Sequence, residues 1–166
     1  MTTNERDDLL ESLTARRGFL LRTVQGLTDD QARQRSTVSE LTLGGLVKHV
    51  AKVEKGWVDF ILDGPVAIEM TEDSYAEHTD GFVLHEDETL AGVLADYEKI
   101  AQRTDDLVRT LPDLGVTQPL PQAPWFPPGA VRSARAVFIH IATETAQHSG
   151  HADIVREAID GQKTMG

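Results

Sequence analysis

Apolar residues recur at spacings of three and four in four separate stretches of the chain, which is the period of an amphipathic α-helix. In the last stretch the apolar positions are Val137, Ile141, Val155 and Ile159. Alternation of the kind that marks a β-strand is missing at any useful length. The pattern therefore predicts an all-α fold, a four-helix bundle, with helices over residues 5–25, 43–62, 88–111 and 134–160.

Capping residues stand close to the predicted helix starts. Thr2 and Glu5 have the spacing of a capping box, as do Thr28 and Gln31, which bracket a short helical turn. Ser133 is a good N-cap for the last helix. These residues predict where the helices begin.

Two long connections separate the helices, one over residues 65–86 and one over residues 112–131. Loops of this length are more often functional than idle, and a long crossover lets two consecutive helices run parallel. Six of the seven prolines lie in the second connection, which predicts a fixed wall and not a flexible link. We expect one domain over residues 1–166, with both connections walling a pocket.

The charge and composition exclude several classes of partner. The chain carries 27 acidic and 16 basic residues, a net charge of −11, which disfavours nucleic acid and anionic membranes. It contains no cysteine, so any thiol chemistry needs a thiol from outside. No apolar run has membrane-spanning length and no signal-peptide pattern is seen, so a cytoplasmic location is expected.

Three polar residues fall on the predicted inward faces. Glu144 and His148 lie one turn apart in the last helix, and His49 lies between apolar residues of the second helix. On that second helix, Lys48 and Lys52 are predicted to face water. A buried carboxylate with two imidazoles needs a partner, and this donor set suits Zn, Ni or Fe(II) with open coordination positions.

Other interpretations of these residues stay open at this point. A helix histidine is often an ordinary core residue, and a Glu/His pair is often a simple polar contact. His140 and His151 lie near the same face as Glu144 and His148, so spacing alone does not exclude them as ligands. No HExxH motif and no Glu-x-x-His pair of the di-iron kind occurs in these helices, which favours a single metal ion.

The large aromatic residues are candidates for a substrate pocket. Trp125 and Phe126, in the proline-rich connection, are expected to form a pocket wall, whereas a core position is favoured for Trp57. Arg132 and Arg135 can meet an anionic substrate, but pairing with surface carboxylates is the favoured explanation of both.

The chain resembles the DinB/YfiT-like superfamily of metal-binding four-helix bundles, and within it the actinobacterial mycothiol-dependent branch. That branch includes mycothiol S-transferases and the metal domain of maleylpyruvate isomerase. The resemblance lies in RGFLLRTVQGLTDDQARQR, LTLGGLVKHVAKVEKGWVDFIL and, most specifically, ETAQHSGHADIVREAIDG. It implies an up-down-down-up bundle and the metal ligands His49, Glu144 and His148. His151 belongs to the shared motif without being a ligand, and the missing isomerase domain favours an S-transferase.

We therefore predict a metal-dependent S-transferase with a divalent ion, zinc being the first choice, and mycothiol as co-substrate. The thiol would be activated as a metal-bound thiolate that attacks a small electrophile, with no catalytic residue beyond the metal ligands. Trp57, Trp125, Phe126, Arg132 and His151 are the candidate substrate contacts. The alternatives are a non-haem Fe(II) oxygenase with the same ligands, or a non-catalytic protein, either a stress-related bundle that binds a metal or a partner or a dimer with a structural ion. A homodimer is a candidate assembly for the S-transferase as well.

Overall fold

A computed structural model describes residues 4–69 and 80–164. Its helices are α1 (Glu5–Thr23), α2 (Asp29–Arg33), α3 (Leu43–Asp63), α4 (Leu90–Thr110) and α5 (Ala134–Asp160). A short 3-10 helix (Pro65–Ile68) follows α3. The mostly helical architecture confirms the predicted all-α class.

A small antiparallel sheet, which the sequence pattern did not predict, joins the two ends of the proline-rich connection. Strands β1 (Thr117–Pro119) and β2 (Val131–Ser133) pair in the register Thr117 to Ser133. Three-residue strands are too short to show an alternating pattern. Their pairing closes residues 120–130 into a loop beside the start of α5.

Side-chain caps lie at the N-termini of the helices largely as predicted. Thr28 and Gln31 form the complete capping box of α2, and the Ser133 hydroxyl accepts a hydrogen bond from the Ala136 backbone N–H. The first helix differs from expectation, because its N-cap is Asn4, whose side chain accepts from two backbone N–H groups. The other half of the predicted capping box, Thr2, lies outside the described residues.

Contacts near the helix ends give the direction of α1 and α5. Glu5 and Arg135 form an ion pair close to the first residues of both helices. At the other end, Arg156 of α5 donates a hydrogen bond of 2.8 Å to the Thr23 carbonyl of α1. These two helices therefore run parallel.

The two middle helices run the other way. The Trp57 ring of α3 contacts the His140 ring of α5, and the His49 ring of α3 contacts a later ring of α5, that of His148, so these helices are antiparallel. Helix α4 is parallel to α3, because Asp59 near the end of α3 pairs with Arg103 in the second half of α4. The two middle helices are therefore parallel to each other and antiparallel to α5.

The core consists of two apolar clusters, one towards each end of the bundle, and a layer of polar side chains separates them. In α1 that layer contains Arg17, in α3 it contains Glu54, and in α5 it contains Thr145 and His148. Glu54 is fully buried, and Arg17 donates to both of its carboxylate oxygens at 3.2 and 2.5 Å. The level of the polar layer is also the level of the candidate site.

The crossover from α3 to α4 returns over the start of α3. Lys48, predicted to face water, is instead buried, and its ammonium donates to the Val83 carbonyl at 2.8 Å and pairs with Glu88 at 2.7 Å. Gly45 lets this segment approach, since a Cβ there would lie 1.9 Å from the Phe82 carbonyl oxygen. The segment thereby holds Phe82 at the bundle interior.

Candidate metal centre

Three side chains from two antiparallel helices converge in the polar layer. His49 comes from α3, and Glu144 and His148 come from successive turns of α5. One potential ligand atom from each lies within 4.8 Å of the others. The sequence predicted these three residues as ligands, and the helical period is the reason that Glu144 and His148 share one face.

The spacing inside this group suits a metal ion better than a direct contact. The His148 Nε2 atom lies 3.6 Å from a Glu144 oxygen, which is too long for a good hydrogen bond. Two ligand atoms around a tetrahedral ion with bonds near 2.1 Å lie about 3.4 Å apart. The donor set and this spacing therefore fit a divalent metal ion.

Burial prepares His148 for binding a cation. Burial lowers the pKa of His148; the negative charge of Glu144 opposes this shift, and His151 adds to it. A lowered pKa keeps the imidazole neutral at physiological pH, and only the neutral ring offers a lone pair to a metal ion. Burying His49, Glu144 and His148 together without a cation between them would also cost free energy.

The two other histidines near this face lie outside the three-residue group. His140 Nε2 is 3.9 Å from a Glu144 oxygen, while its ring packs edge-on against Trp57 at 4.8 Å between centroids. His151 Nδ1 lies 3.4 Å from His148 Nδ1, the atom facing away from Glu144. In the described part of the chain, neither joins the cluster that can hold an ion. A site closed by four protein ligands is therefore not favoured.

Phe82 is a neighbour of the group that sequence reasoning missed. Its ring stacks on the His49 imidazole, with centroids 3.7 Å apart and planes inclined by 17°. This stacking limits rotation of the imidazole and covers one of its faces. The available signal was the Gly44-Gly45 pair at the start of α3, because adjacent glycines in a helix indicate that another backbone approaches closely.

A cleft of about 500 Å³ adjoins the three-residue group and shares His49 with it. Its aromatic wall consists of Trp57, Trp125 and Phe126. A role of these rings in substrate binding stays a prediction. Both long connections contribute further lining residues, among them Ala67, Ile68, Glu69, Pro121, Gln122 and Ala123. Most of the described lining is apolar, so the cleft suits a small molecule with a flat, apolar body.

The two arginines near the start of α5 have different surroundings. Arg135 pairs with Glu5, as a surface arginine is expected to do. The Arg132 guanidinium instead lies over the Trp57 ring at 4.7 Å and near the Phe126 ring at 5.8 Å. Arg132 therefore packs against two rings of the cleft wall, although neither Arg132 nor His151 is among the described residues that line the cleft.

A family model described as Mycothiol-S-transferase matches residues 8–161, which include all three candidate ligands. The chain belongs to the mycothiol S-transferase family. This confirms the resemblance seen in the sequence and supports a transferase. A comparison with curated proteins found no match.

The family's helical architecture recurs in a distant solved structure. The crystal structure of a conserved protein from Enterococcus faecalis is 13% identical, with a TM-score of 0.71 over 97% of this chain and 100% of the other. At that identity the likeness concerns the fold alone. Within the described residues of this S-transferase family member, no helix is both long and apolar enough to cross a membrane.

Proposed function

We propose that this protein is a metal-dependent thiol S-transferase that joins mycothiol to a small electrophile. The observation that carries the proposal is the convergence of His49, Glu144 and His148 beside an aromatic cleft. Membership of the mycothiol S-transferase family supports mycothiol as the thiol. The lack of cysteine is consistent with a thiol that comes from outside.

His49, Glu144 and His148 would hold a divalent ion, for which zinc is the first choice. A bound ion of this kind supplies a Lewis-acidic position that favours the thiolate form of a thiol at neutral pH. Phe82 keeps the His49 ring in one orientation by stacking on it. His151 faces the Nδ1 atom of His148 and so favours the orientation in which Nε2 points to Glu144.

The cleft residues position the electrophile. Trp57, Trp125 and Phe126 offer flat apolar surfaces that bind an unsaturated or aromatic body and exclude water from it. In the transfer, the thiol sulfur forms a bond to the electrophilic carbon, the leaving group takes its bonding electrons, and the thiol proton passes to solvent. Bringing both reactants into one cleft replaces an encounter in solution with a local reaction.

Replacement of His148 tests the proposal directly. His148→Ala should lose bound metal and mycothiol-dependent transfer together, since it removes one of three protein ligands. His85→Ala is the matched control, because His85 is exposed and pairs with Asp80. Metal content by elemental analysis and transfer rates would be measured on both variants. Full transferase activity in metal-free His148→Ala protein would contradict the mechanism.

A second experiment identifies the thiol. The cobalt-loaded protein would be titrated in turn with mycothiol, glutathione and cysteine while its absorption spectrum is recorded. A new near-ultraviolet band that forms at the lowest concentration with mycothiol would support the proposal. A spectrum that no thiol changes would argue against thiol binding at this site.

The ligand set also supports a second candidate, a non-haem Fe(II) oxygenase, because two histidines and one carboxylate form its usual triad. Oxygen uptake by the iron-loaded protein without added thiol would favour the oxygenase. Thiol consumption without oxygen uptake would favour the transferase.

A further inference from the structure

Arg132 lies just before the start of α5 and packs against two rings of the cleft wall. It belongs to β2, two residues before that helix, and its guanidinium lies over the Trp57 ring and near the Phe126 ring. Both rings line the cleft. Stacking of this kind stabilises a guanidinium through its flat face, which explains its position but not the use of its N–H groups.

One of those N–H groups is buried without a partner. The Nη1 atom of Arg132 is inaccessible to solvent and makes no hydrogen bond. Buried donors are nearly always hydrogen-bonded in proteins, because losing water without gaining a partner costs free energy. The Arg132 guanidinium therefore has hydrogen-bonding capacity that the described residues leave unused.

The lack of a carboxylate partner at Arg132 does not result from a shortage of acidic residues. Acidic residues outnumber basic ones by 27 to 16. Three residues further on, Arg135 pairs with Glu5, and Arg17 pairs with both Glu54 and Asp105. In the described part of the chain, by contrast, no acidic side chain lies within ion-pair distance of Arg132.

We propose that Arg132 determines specificity by binding a carboxylate carried by the electrophile. The planar guanidinium matches a carboxylate with two parallel hydrogen bonds, and the electrophile's apolar body would lie along Trp57 and Phe126. Trp57 also contacts His140, whose Nε2 atom lies 3.9 Å from a Glu144 oxygen. The Trp57 side chain would therefore lie between the bound carboxylate and the three-residue group. That this ligand is the electrophile rests on the proposed function.

The test compares two probes that differ only in charge, para-nitrobenzoate and its neutral counterpart para-nitrobenzamide. The chain has two tryptophans, Trp57 and Trp125, and both line the cleft, so quenching of their fluorescence reports binding of either probe. The protein should bind the benzoate more tightly than the amide. Arg132→Met should weaken benzoate binding by about 10-fold to 100-fold and amide binding by less than about 3-fold.

Two further variants sharpen the comparison. Arg132→Lys keeps the charge without the planar fork, so its benzoate affinity should fall between those of the parent protein and Arg132→Met. Arg135→Met removes a neighbouring charge that already has a partner and should leave both affinities unchanged. Circular dichroism melting would show that each variant is folded. If Arg132→Met does not fold, the affinities of Arg132→Lys decide the result.

An equal loss of affinity for both probes, or no loss in either Arg132 variant, would overturn the inference. So would a parent protein that binds the two probes equally. Probe binding needs neither thiol nor metal, so these outcomes leave the proposed transferase intact. Retained benzoate preference in a protein without transferase activity would instead refute the proposed function alone.

Discussion

At the scale of single residues, two imidazoles on either side of Glu144 make the stability of the protein depend on pH. Burial lowers the pKa of His140 and of His148, and for both the charge of Glu144 opposes the shift. In the unfolded chain each would titrate near its ordinary pKa of about 6.5. The unfolded state therefore binds more protons than the folded state below that pH. These histidines cost no stability above about pH 6.5, and the metal-free protein loses stability as the pH falls below it.

The first prediction concerns this loss. Between about pH 7.5 and about pH 5.5, the free energy of unfolding of the metal-free protein should fall less in His140→Gln than in the parent, because one buried imidazole no longer titrates. Urea denaturation at both pH values measures it. Gln147→Ala, a change at an exposed and non-titrating residue of the same helix, should keep the parent's pH dependence. Equal pH dependence in His140→Gln and the parent would contradict the explanation.

The second prediction concerns His151. Its Nδ1 atom lies 3.4 Å from Nδ1 of His148, where it can hold that imidazole with Nε2 directed at Glu144. Such outer partners typically contribute about 10-fold to 100-fold to metal affinity. His151→Phe should therefore weaken zinc binding by that order in a chelator competition assay, while His85→Phe should not. Unchanged zinc affinity would assign His151 a different role.

At the scale of secondary-structure elements, the start of α3 and the segment that returns over it form one unit. The Lys48 ammonium donates a hydrogen bond to the Val83 carbonyl, and Gly45 leaves room for the Phe82 backbone. This contact holds the Phe82 ring on His49. The position of one metal-ligand candidate thus depends on a segment more than 30 residues away in the chain.

The third prediction follows from that close approach. Gly45→Ala places a methyl group against the Phe82 carbonyl, so it should destabilise the fold by roughly 1–3 kcal/mol, as overpacking typically does. Gly18→Ala is the matched control, since a Cβ there meets nothing within 4 Å and alanine favours the helix by about 0.5–1 kcal/mol. Urea denaturation of both variants measures the difference. A Gly45→Ala protein as stable as the parent would show that the segment is not held in this way.

At the scale of the whole molecule, one buried ionic network joins three helices. Arg17 of α1 pairs with Glu54 of α3 and with Asp105 of α4. Burial alone would lower the pKa of Arg17, but hydrogen bonds and charge interactions with Glu54 and Asp105 raise it overall. The network lies in the same polar layer as the candidate metal centre and fixes how the helices around it are spaced.

The fourth prediction tests this network. Glu54→Ala leaves a buried guanidinium with one acidic partner fewer and should cost about 3–5 kcal/mol of stability. The double variant Arg17→Met with Glu54→Leu removes both charges and should recover most of that loss. Asp96→Ala breaks an exposed pair with Lys99 and should change the midpoint of urea unfolding little. A double variant no more stable than Glu54→Ala would show that the network itself is required.

The sequence by itself determined the helices and the candidate ligands. Helical periodicity and capping are local properties, so the bounds of α5 and the caps Thr28 and Ser133 could be predicted from nearby residues. The same period places Glu144 and His148 on one face. The resemblance added the family, which the family model confirmed over residues 8–161.

Only the tertiary structure decided which distant residues meet. The Arg17–Glu54 pair spans 37 positions and the Lys48–Val83 contact spans 35. A side chain's period along one helix does not reveal its partner on another element, which is why Lys48 was assigned to water and Phe82 was missed. The stacking of Arg132 on Trp57 likewise depends on how β2 packs against α3.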